Sequence, residues 1–403
     1  MTRPPPPDSA KQAIRDIQHF GEEGGVVPVI DVAATSTFLD PRDMDRTFRG
    51  EMEGCYLYSR HSNPTVAAFG KKLAAAEGGE AALGVASGMA AISTALEQLL
   101  AVGDHIVSSS MVYGGTYALF QNLFPRRGIE VSFVQTTDLQ ALEKAITPKT
   151  RVLYVETMSN PLLAVTDLKA VSKIATRHKL RLVVDNTFTP LIVRPLEYGA
   201  DVVVYSCTKY LSGASDLIAG AIVGSADFIK LLTDVNQGTV MLNGPVMDPR
   251  IAHELYLRLD HLPLRMAAHS HSALFLAERL EKEKIPVVYP GLRSHPQYSL
   301  LETIRSPEFG CGGMIAIDCG TLAKALRLAE RLQDEKFGLY AVSLGFSRTL
   351  ISCPASSTSS EIPEEERAKM GLTAGILRLS IGFIGDDAVM TERFVRCYRE
   401  VMA

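Results

Sequence analysis

The sequence predicts an α/β protein with a large domain built on a mostly parallel sheet and a smaller C-terminal α+β domain. Three observations support this fold class. From about residue 65 to 255, short β-branched runs alternate with helix-like stretches, and from about residue 256 strands and helices mix. The first 62 residues show no core pattern of their own. We therefore expect an N-terminal arm (1–62) that contacts a neighbouring subunit, a large domain (63–255) and a C-terminal domain (256–403).

The strands of the large domain are predicted from short apolar runs rich in valine and isoleucine. They lie at residues 104–108 (DHIVS), 130–134 (EVSFV), 151–156 (RVLYVE), 181–185 (RLVVD) and 201–206 (DVVVYS). Helix-like segments at 138–145 and 167–178 separate some of these runs. Apolar strands that alternate with helices are typical of a parallel sheet covered on both faces.

The C-terminal domain is predicted from a different pattern. Residues 251–284 indicate a long helical stretch, residues 313–318 (GMIAID) a strand and residues 322–333 a further helix. Residues 352–361 (SCPASSTSSE) are polar and contain a proline, which predicts a loop.

Composition and charge narrow the function classes. The 403 residues are 46% hydrophobic and 21% charged, with a formal net charge of -4 and no long basic block. This balance argues against nucleic acid or an anionic membrane as a partner. No apolar run is long enough to span a bilayer, and the proline-rich N-terminus has no signal-peptide core. The six cysteines lack CxxC or zinc-type spacing, which favours reduced thiols in a cytoplasmic protein without a metal site.

Candidate functional residues follow the predicted strands, because ligands of open α/β sheets collect at the carboxyl ends of strands. Lys209 comes directly after the strand that ends near Ser206, where burial would lower the pKa of its amine and free it to condense with an aldehyde. The hydroxyls of Ser206 and Thr208 could bind a phosphate. Asp185 closes another strand and could pair with a protonated pyridine nitrogen.

Further residues supply an anion site and an aromatic surface. Gly88 and Met89 open a helix whose N-terminal N–H groups suit a phosphate. Tyr58 and Arg60, in the predicted arm, are good phosphate ligands that could reach another subunit. Tyr113 follows a strand and could stack on a planar cofactor.

Arg378 lies between apolar neighbours in GILRLSIG, and a buried arginine needs an anion, which could be a substrate carboxylate or a structural aspartate. Each of these residues, taken alone, also fits an ordinary structural role. Together they fall in the order and at the strand ends that one cofactor requires.

Ten motifs carry a resemblance to a known family over nearly the whole chain. They are YSRHSNPT (58–65), ASGMAAI (86–92), VYGGTY (112–117), ETMSNP (156–161), VVDNTF (183–188), SCTKYLSG (206–213), YPGL (289–292), CGGMIAID (311–318), AVSLG (341–345) and LRLSIG (377–382). On these motifs the chain resembles the Cys/Met-metabolism enzymes that depend on pyridoxal 5′-phosphate (PLP), a group that includes methionine γ-lyase, cystathionine γ-lyase, cystathionine γ-synthase and O-acylhomoserine sulfhydrylase.

The resemblance implies an aspartate-aminotransferase-like fold with a seven-stranded type of sheet in the PLP-binding domain, and a homotetramer built from two catalytic dimers. Lys209 would hold PLP as a Schiff base and move protons, and Asp185 would pair with its ring nitrogen. Tyr113 would stack on the ring and act near the leaving group.

The remaining roles implied by the resemblance concern the ends of the cofactor and the substrate. Asn160 would contact the ring hydroxyl, and Ser343 and Arg378 would bind the substrate carboxylate. The phosphate would be bound by Gly88, Met89, Ser206 and Thr208, helped by Tyr58 and Arg60 from the neighbouring subunit.

The chain also departs from the family pattern around the distal pocket. Arg348 stands where relatives commonly have an acid, so it either recognises a polar or anionic distal group or pairs with an internal acid. The other departures are Ala214, Gly115, Cys353, Ser357, Ser359 and residues 381–385 (IGFIG).

The predicted reaction is PLP-dependent γ-elimination from a small amino acid, of the methionine γ-lyase or cystathionine γ-lyase type, giving a 2-oxo acid, ammonia and the γ-substituent. The alternatives are γ-substitution on an O-activated homoserine and γ-elimination of an oxygen-linked analogue such as canavanine. A simple transaminase and a non-catalytic PLP-binding protein are the remaining interpretations.

Overall fold

The computed structural model describes residues 10–16, 26–49, 51–52, 54–357, 362–369 and 371–403. Much of the predicted arm (1–9 and 17–25) and Ser359 in the predicted loop lie outside the described residues. Within the described ranges, no helix combines the length and apolar character needed to cross a membrane.

The twelve strands lie in two sheets. In chain order they are β1 (Ala81–Val85), β2 (His105–Ser109), β3 (Glu130–Val134), β4 (Thr150–Glu156), β5 (Arg181–Asp185), β6 (Val202–Ser206), β7 (Gly220–Gly224), β8 (Val287–Val288), β9 (Met314–Asp318), β10 (Leu339–Tyr340), β11 (Leu350–Ser352) and β12 (Ile376–Ser380), counted within the described residues.

The α-helices of the described residues surround these sheets. They are α1 (Ala10–Asp16), α2 (Pro41–Phe48), α3 (Pro64–Glu77), α4 (Gly88–Leu99), α5 (Gly114–Ala118), α6 (Leu139–Lys144), α7 (Leu168–His178), α8 (Ala226–Leu232), α9 (Thr239–Asn243), α10 (Pro249–Asp260), α11 (Leu262–Lys282), α12 (Tyr298–Glu302), α13 (Leu322–Asp334), α14 (Glu364–Lys369) and α15 (Asp387–Met402). A π-helical turn (Leu119–Leu123) extends α5.

The first sheet has seven strands in the order β1-β7-β6-β5-β4-β2-β3, and its central strands are parallel. Only β7 runs against its neighbours, since it pairs antiparallel with both β6 and β1. The two faces of this sheet belong to two different apolar cores. Leu153 and Val184 lie in one core, and their neighbours Val152 and Val183 lie in the other, so alternate residues of β4 and β5 face opposite layers of helices. The fold class predicted from the sequence is confirmed.

The second sheet has five strands in the order β10-β11-β12-β9-β8, and most of its pairs are antiparallel. Helices α11, α13 and α15 contribute to its separate apolar core. This is the smaller C-terminal α+β unit. The predicted boundaries at residues 62 and 255 fall outside both sheets and remain predictions.

Three local features differ from the sequence-based expectation. The long helical stretch predicted over 251–284 consists of two helices, because α10 and α11 are separated at His261; Pro263, which lacks an N–H, lies in the first turn of α11. Strands β1 and β7 were not predicted, since AALGV and GAIVG are rich in alanine and glycine. Part of the predicted arm, α1, packs against α3 of its own chain, with Ala10 and Ile14 buried.

Candidate active site

A cavity of about 280 Å³ lies where the carboxyl ends of β4, β5 and β6 meet the first turn of α4. The rest of its wall comes from loops of the large domain, from residues 342–344 between β10 and β11, and from Arg378 on β12. Ten of the residues predicted from the sequence line this cavity: Gly88, Met89, Tyr113, Asn160, Asp185, Ser206, Thr208, Lys209, Ser343 and Arg378. The structure therefore brings together side chains that are separated by up to about 290 positions in the sequence.

Lys209 lies in the turn that follows β6, and its Nζ donates a hydrogen bond to Ser343 Oγ at 2.9 Å. Burial lowers the pKa of the Lys209 amine to about 8, and the nearby Arg378 guanidinium acts in the same direction. A larger fraction of the amine is therefore neutral near pH 7 than for an exposed lysine. A neutral lysine amine is the form that attacks an aldehyde.

Asp185 is the last residue of β5 and is buried. Its Oδ1 accepts a hydrogen bond from the backbone N–H of Thr187 at 2.9 Å, and Tyr154 Oη lies 3.4 Å from its Oδ2. Burial raises the pKa of this carboxyl, while the hydrogen bonds from Thr187 oppose the shift. A cationic ligand at this position would favour the ionised form.

An anion cradle lies at the N-terminus of α4. Ser87 caps this helix through Ala90 N at 3.0 Å, while the N–H groups of Gly88 and Met89 belong to the first turn and have no intrahelical acceptor. A Cβ atom on Gly88 would lie 2.6 Å from Ser206 Cβ, so only glycine permits this close approach. Thr208 Oγ1 is held beside it by Ala219 N at 3.0 Å.

Arg378, on β12, is a buried guanidinium with neutral acceptors. Its Nη1 donates to Asn160 Oδ1 at 2.9 Å, and its Nη2 donates to the Ser343 carbonyl oxygen at 3.1 Å. Burial lowers the pKa of Arg378 to about 10. A carboxylate that enters the cavity would compensate this buried charge, because guanidinium groups bind carboxylates with short, charge-assisted hydrogen bonds.

Tyr113 precedes α5 and lines the cavity with a side chain that is 42% exposed. Its backbone N–H donates to Glu156 Oε1 at 2.7 Å. The stacking role of the Tyr113 ring remains a prediction.

Several residues of the cavity were missed from the sequence. Glu156, the last residue of β4, is the most polar of them, and its place at a strand end next to Asp185 is the signal that could have identified it. Phe188, Ile218 and Val342 add apolar surface to the cavity wall. The apolar residues carry no pattern that distinguishes them from core residues.

Three predicted residues do not line the cavity of their own chain. Arg60 Nη1 donates to the Met241 carbonyl oxygen at 2.9 Å, and its guanidinium lies 5.5 Å from the centre of the Tyr58 ring. Their role in a neighbouring subunit therefore stays a prediction. Arg348 is exposed and is absent from the cavity wall, as is Ala214, so the geometry gives no support to a substrate contact through Arg348.

Residues 12–390 match the family model described as Cys/Met metabolism PLP-dependent enzyme. The chain belongs to this family. The resemblance inferred from the sequence motifs is thus confirmed, and PLP is the cofactor of this Cys/Met-metabolism enzyme.

Similar proteins include methionine γ-lyase of Arabidopsis thaliana, which is 44% identical over 93% of this chain and 86% of its own length. L-methionine γ-lyase of Pseudomonas putida is 41% identical, with 96% of each chain covered. A Campylobacter jejuni crystal structure described as an O-acetylhomoserine (thiol)-lyase has a TM-score of 0.89 and 29% identity, covers 97% of this chain and 100% of its own, and contains N′-pyridoxyl-lysine-5′-monophosphate.

The residues of the cavity suit three groups of one PLP molecule: its aldehyde, its ring nitrogen and its phosphate. The amine of Lys209 can receive the aldehyde carbon, and the carboxyl of Asp185 can pair with the ring nitrogen. The cradle at Gly88, which a Cβ atom would fill, can receive the phosphate. We assign these roles to the residues as proposals.

Proposed function

We propose that the chain catalyses PLP-dependent γ-elimination from a thioether amino acid of the methionine type. Methionine and water would give a 2-oxo acid, ammonia and a thiol. The proposal rests on one arrangement: Lys209 Nζ lies 2.9 Å from Ser343 Oγ, and the carbonyl oxygen of the same serine accepts from Arg378 at 3.1 Å. A proton-transferring amine and a carboxylate-binding guanidinium thus meet at one residue. The names of the relatives support the same reaction class.

PLP, when bound, supplies an electron sink that makes the hydrogens on the substrate's α- and β-carbons acidic. Arg378, which donates to Asn160 Oδ1 and to the Ser343 carbonyl oxygen, would orient the substrate by its carboxylate. Lys209, whose pKa is lowered to about 8, removes a proton and returns it from its Nζ. Asp185 holds its negative charge next to the ring nitrogen, where it stabilises a proton.

Departure of the γ-substituent requires a proton donor near the sulfur atom. Tyr113 lies in the cavity wall with its phenol partly exposed, and it is the residue that we assign to this step. Protonation at sulfur makes the leaving group a neutral thiol, which is expelled more readily than a thiolate.

The outer wall of the cavity favours an apolar γ-substituent. Ile218 and Val342 line the cavity and are 66% and 62% exposed, so their side chains are available to a ligand. Arg348 does not lie in the wall. A methylthio group would bury apolar surface there, whereas a second amino-acid head group, as in cystathionine, would meet few polar partners.

The assembly is part of the proposal. Tyr58 and Arg60 of one chain would complete the phosphate site of a neighbour in a homotetramer. Exposed apolar residues in the predicted arm region, among them Val29, Val32 and Leu39, support an interface there. Six free cysteines, of which four are buried, support a reducing compartment such as the cytoplasm.

A substrate panel tests this function. The purified protein would be offered methionine, cystathionine, homocysteine, canavanine and O-acetylhomoserine with a thiol, and 2-oxo acid and ammonia would be measured. We expect the highest kcat/KM with methionine and no product from the Lys209→Ala variant. Thioether formation from the ester, with 2-oxo acid from none of the compounds, would overturn γ-elimination in favour of γ-substitution.

A further inference from the structure

Glu156 accepts two backbone hydrogen bonds that hold separate parts of the site. Its Oε1 accepts from Tyr113 N at 2.7 Å, and its Oε2 accepts from Asn160 N at 3.2 Å. The side chain is buried and lines the cavity. One carboxylate therefore connects the loop after β2 with the loop after β4.

Both loops carry residues of the proposed reaction. Tyr113 presents its phenol to the cavity directly after the held N–H group. Asn160 in turn contacts Arg378, because its Oδ1 accepts a hydrogen bond from Arg378 Nη1 at 2.9 Å. Hydrogen bonds therefore connect Glu156 to Tyr113, which is assigned to the leaving group, and through Asn160 to Arg378, which is assigned to the substrate carboxylate.

The two N–H donors require a carboxylate at this position. Each carboxylate oxygen can accept a hydrogen bond, whereas a carboxamide offers one acceptor and places an NH₂ group against the other donor. Glutamine has nearly the same size as glutamate, so a Glu156→Gln variant would lose one of the two contacts without creating a cavity.

The surroundings of Glu156 are unfavourable for a charge. Asp185 is its direct neighbour in the β4–β5 register, so the two side chains lie on the same face of the sheet. Burial and the Asp185 carboxylate raise the pKa of Glu156 well above its ordinary value, while the N–H groups of Tyr113 and Asn160 oppose this shift. Buried carboxyl groups with strongly shifted pKa values are frequent at functional sites, so we expect Glu156 to have a role in this one.

We propose that Glu156 is a positioning residue that holds Tyr113 and the Asn160–Arg378 pair in one arrangement, so that substrate-carboxylate binding and leaving-group protonation depend on the same side chain. This inference rests on the proposed function for the roles of Tyr113 and Arg378. It extends that function to a residue which contacts neither end of the substrate.

The test compares Glu156→Gln with Glu130→Gln in the PLP-loaded enzyme. Glu130 lies exposed at the start of β3 in the same sheet and away from the cavity. The ligand is L-norleucine, which has the chain length of methionine and no leaving group, and its binding is followed by the change in PLP absorbance. Thermal unfolding of each variant is recorded in parallel.

We expect Glu156→Gln to keep the PLP absorbance band and to bind norleucine about tenfold more weakly, the factor for the loss of one hydrogen bond at a charged group. When Arg378→Lys is already present, adding Glu156→Gln should weaken norleucine binding less than twofold, because both substitutions disturb the same Glu156–Asn160–Arg378 contacts. Wild-type affinity in Glu156→Gln, or full additivity with Arg378→Lys, would overturn the proposal.

A second variant keeps the proposal testable. If Glu156→Gln fails to fold, Glu156→Asp retains both acceptor oxygens on a shorter side chain, and its norleucine affinity should lie below that of the wild type. Wild-type affinity in that variant also counts against the proposal. Norleucine binding requires no turnover, so a negative substrate panel would refute the proposed reaction and leave this test standing.

Discussion

Lys209 Nζ donates a hydrogen bond to Ser343 Oγ at 2.9 Å, across 134 positions of sequence. Ser343 has a backbone φ of 116°, a conformation that L-residues rarely adopt. Strain of this kind persists where surrounding contacts determine the conformation, and it is frequent at functional sites. Here the contacts are those to Lys209 and Arg378, so the amine and the guanidinium are held by the same strained residue.

The first prediction concerns the pH dependence of PLP uptake by the cofactor-free protein. Burial lowers the pKa of Lys209 from 10.5 to about 8, and only the neutral amine reacts with an aldehyde. The uptake rate, followed by absorbance, should therefore rise with pH through about 8 and level off above it. A rate that keeps rising towards pH 10 would contradict the lowered pKa, and Lys209→Arg should show no uptake.

Gly88→Ala should weaken PLP binding. The added Cβ atom would lie 2.6 Å from Ser206 Cβ and would push apart the two sides of the phosphate cradle. We expect the dissociation constant of PLP to rise roughly tenfold or more, since a phosphate held by backbone N–H groups depends on their geometry. The control is Gly224→Ala at the opposite edge of the sheet, where the new Cβ meets Asp201 O at 3.2 Å. Equal PLP affinity in the two variants would show that the N-terminus of α4 does not bind the phosphate.

Arg378→Lys should separate substrate binding from cofactor binding. Lysine keeps the charge but cannot reach both Asn160 and the Ser343 carbonyl in the planar geometry of a guanidinium. We expect KM for methionine to rise about 30-fold or more, which corresponds to about 2 kcal/mol of lost binding, with the PLP absorbance band retained. An unchanged KM would place the substrate carboxylate elsewhere.

Glu77 should make the stability of the protein fall as pH rises. It is buried, Tyr205 Oη donates to its Oε2, and burial raises its pKa from 4.5 to about 8. An acid whose folded pKa is raised stabilises the fold at low pH, and this contribution is lost as pH increases towards the folded pKa.

Glu77→Gln removes this titration and keeps an acceptor for Tyr205. Its Tm should exceed that of the wild type by roughly 3 °C or more at pH 8, and the difference should shrink towards pH 5. Differential scanning calorimetry across this range provides the measurement. The exposed Glu130→Gln serves as the control, and a Tm difference that does not change with pH would assign Glu77 a packing role instead.

Arg60 allows a test of the shared site. The Lys209→Ala variant and the Arg60→Ala variant should each be nearly inactive alone. When the two variants are mixed, unfolded and refolded together, the mixture should regain activity. A mixed catalytic dimer has one site with both mutations and one with neither, so random pairing restores about a quarter of the wild-type sites. No recovery, despite mixed assemblies on native mass spectrometry, would place Arg60 outside the neighbour's site.

Much of the site could be predicted from the sequence because one rule located it. Parallel strands end at the same edge of the sheet, so Asp185, Ser206 and Lys209 had to lie close together once their strands were identified. The valine-rich runs made those strands visible. Strands β1 and β7 were missed because alanine and glycine have low strand propensity; β7 is stabilised by pairing with β6, and β1 by pairing with β7.

The residues that could not be predicted depend on tertiary packing. Glu156 is an ordinary strand-end carboxylate in the sequence, and only the fold brings the N–H groups of Tyr113 and Asn160 to its two oxygens. The position of Arg348 likewise depends on how the segment before β11 turns. Family comparison drew attention to its charge, while the folded chain leaves it exposed and outside the cavity wall.

The place of Lys209 between β6 and β7 has a consequence for the order in which the site assembles. Lys209 lies between β6 and β7, and Ser343 and Arg378 arrive only with the second sheet. During synthesis the lysine is therefore made long before its serine and arginine partners, and a chain with only its first sheet folded would offer the amine without the contacts that hold it. The residues proposed to hold PLP, namely Gly88, Asp185 and Lys209, all lie around the first sheet, so cofactor capture can precede folding of the second sheet, and substrate binding would report completed folding of the whole chain.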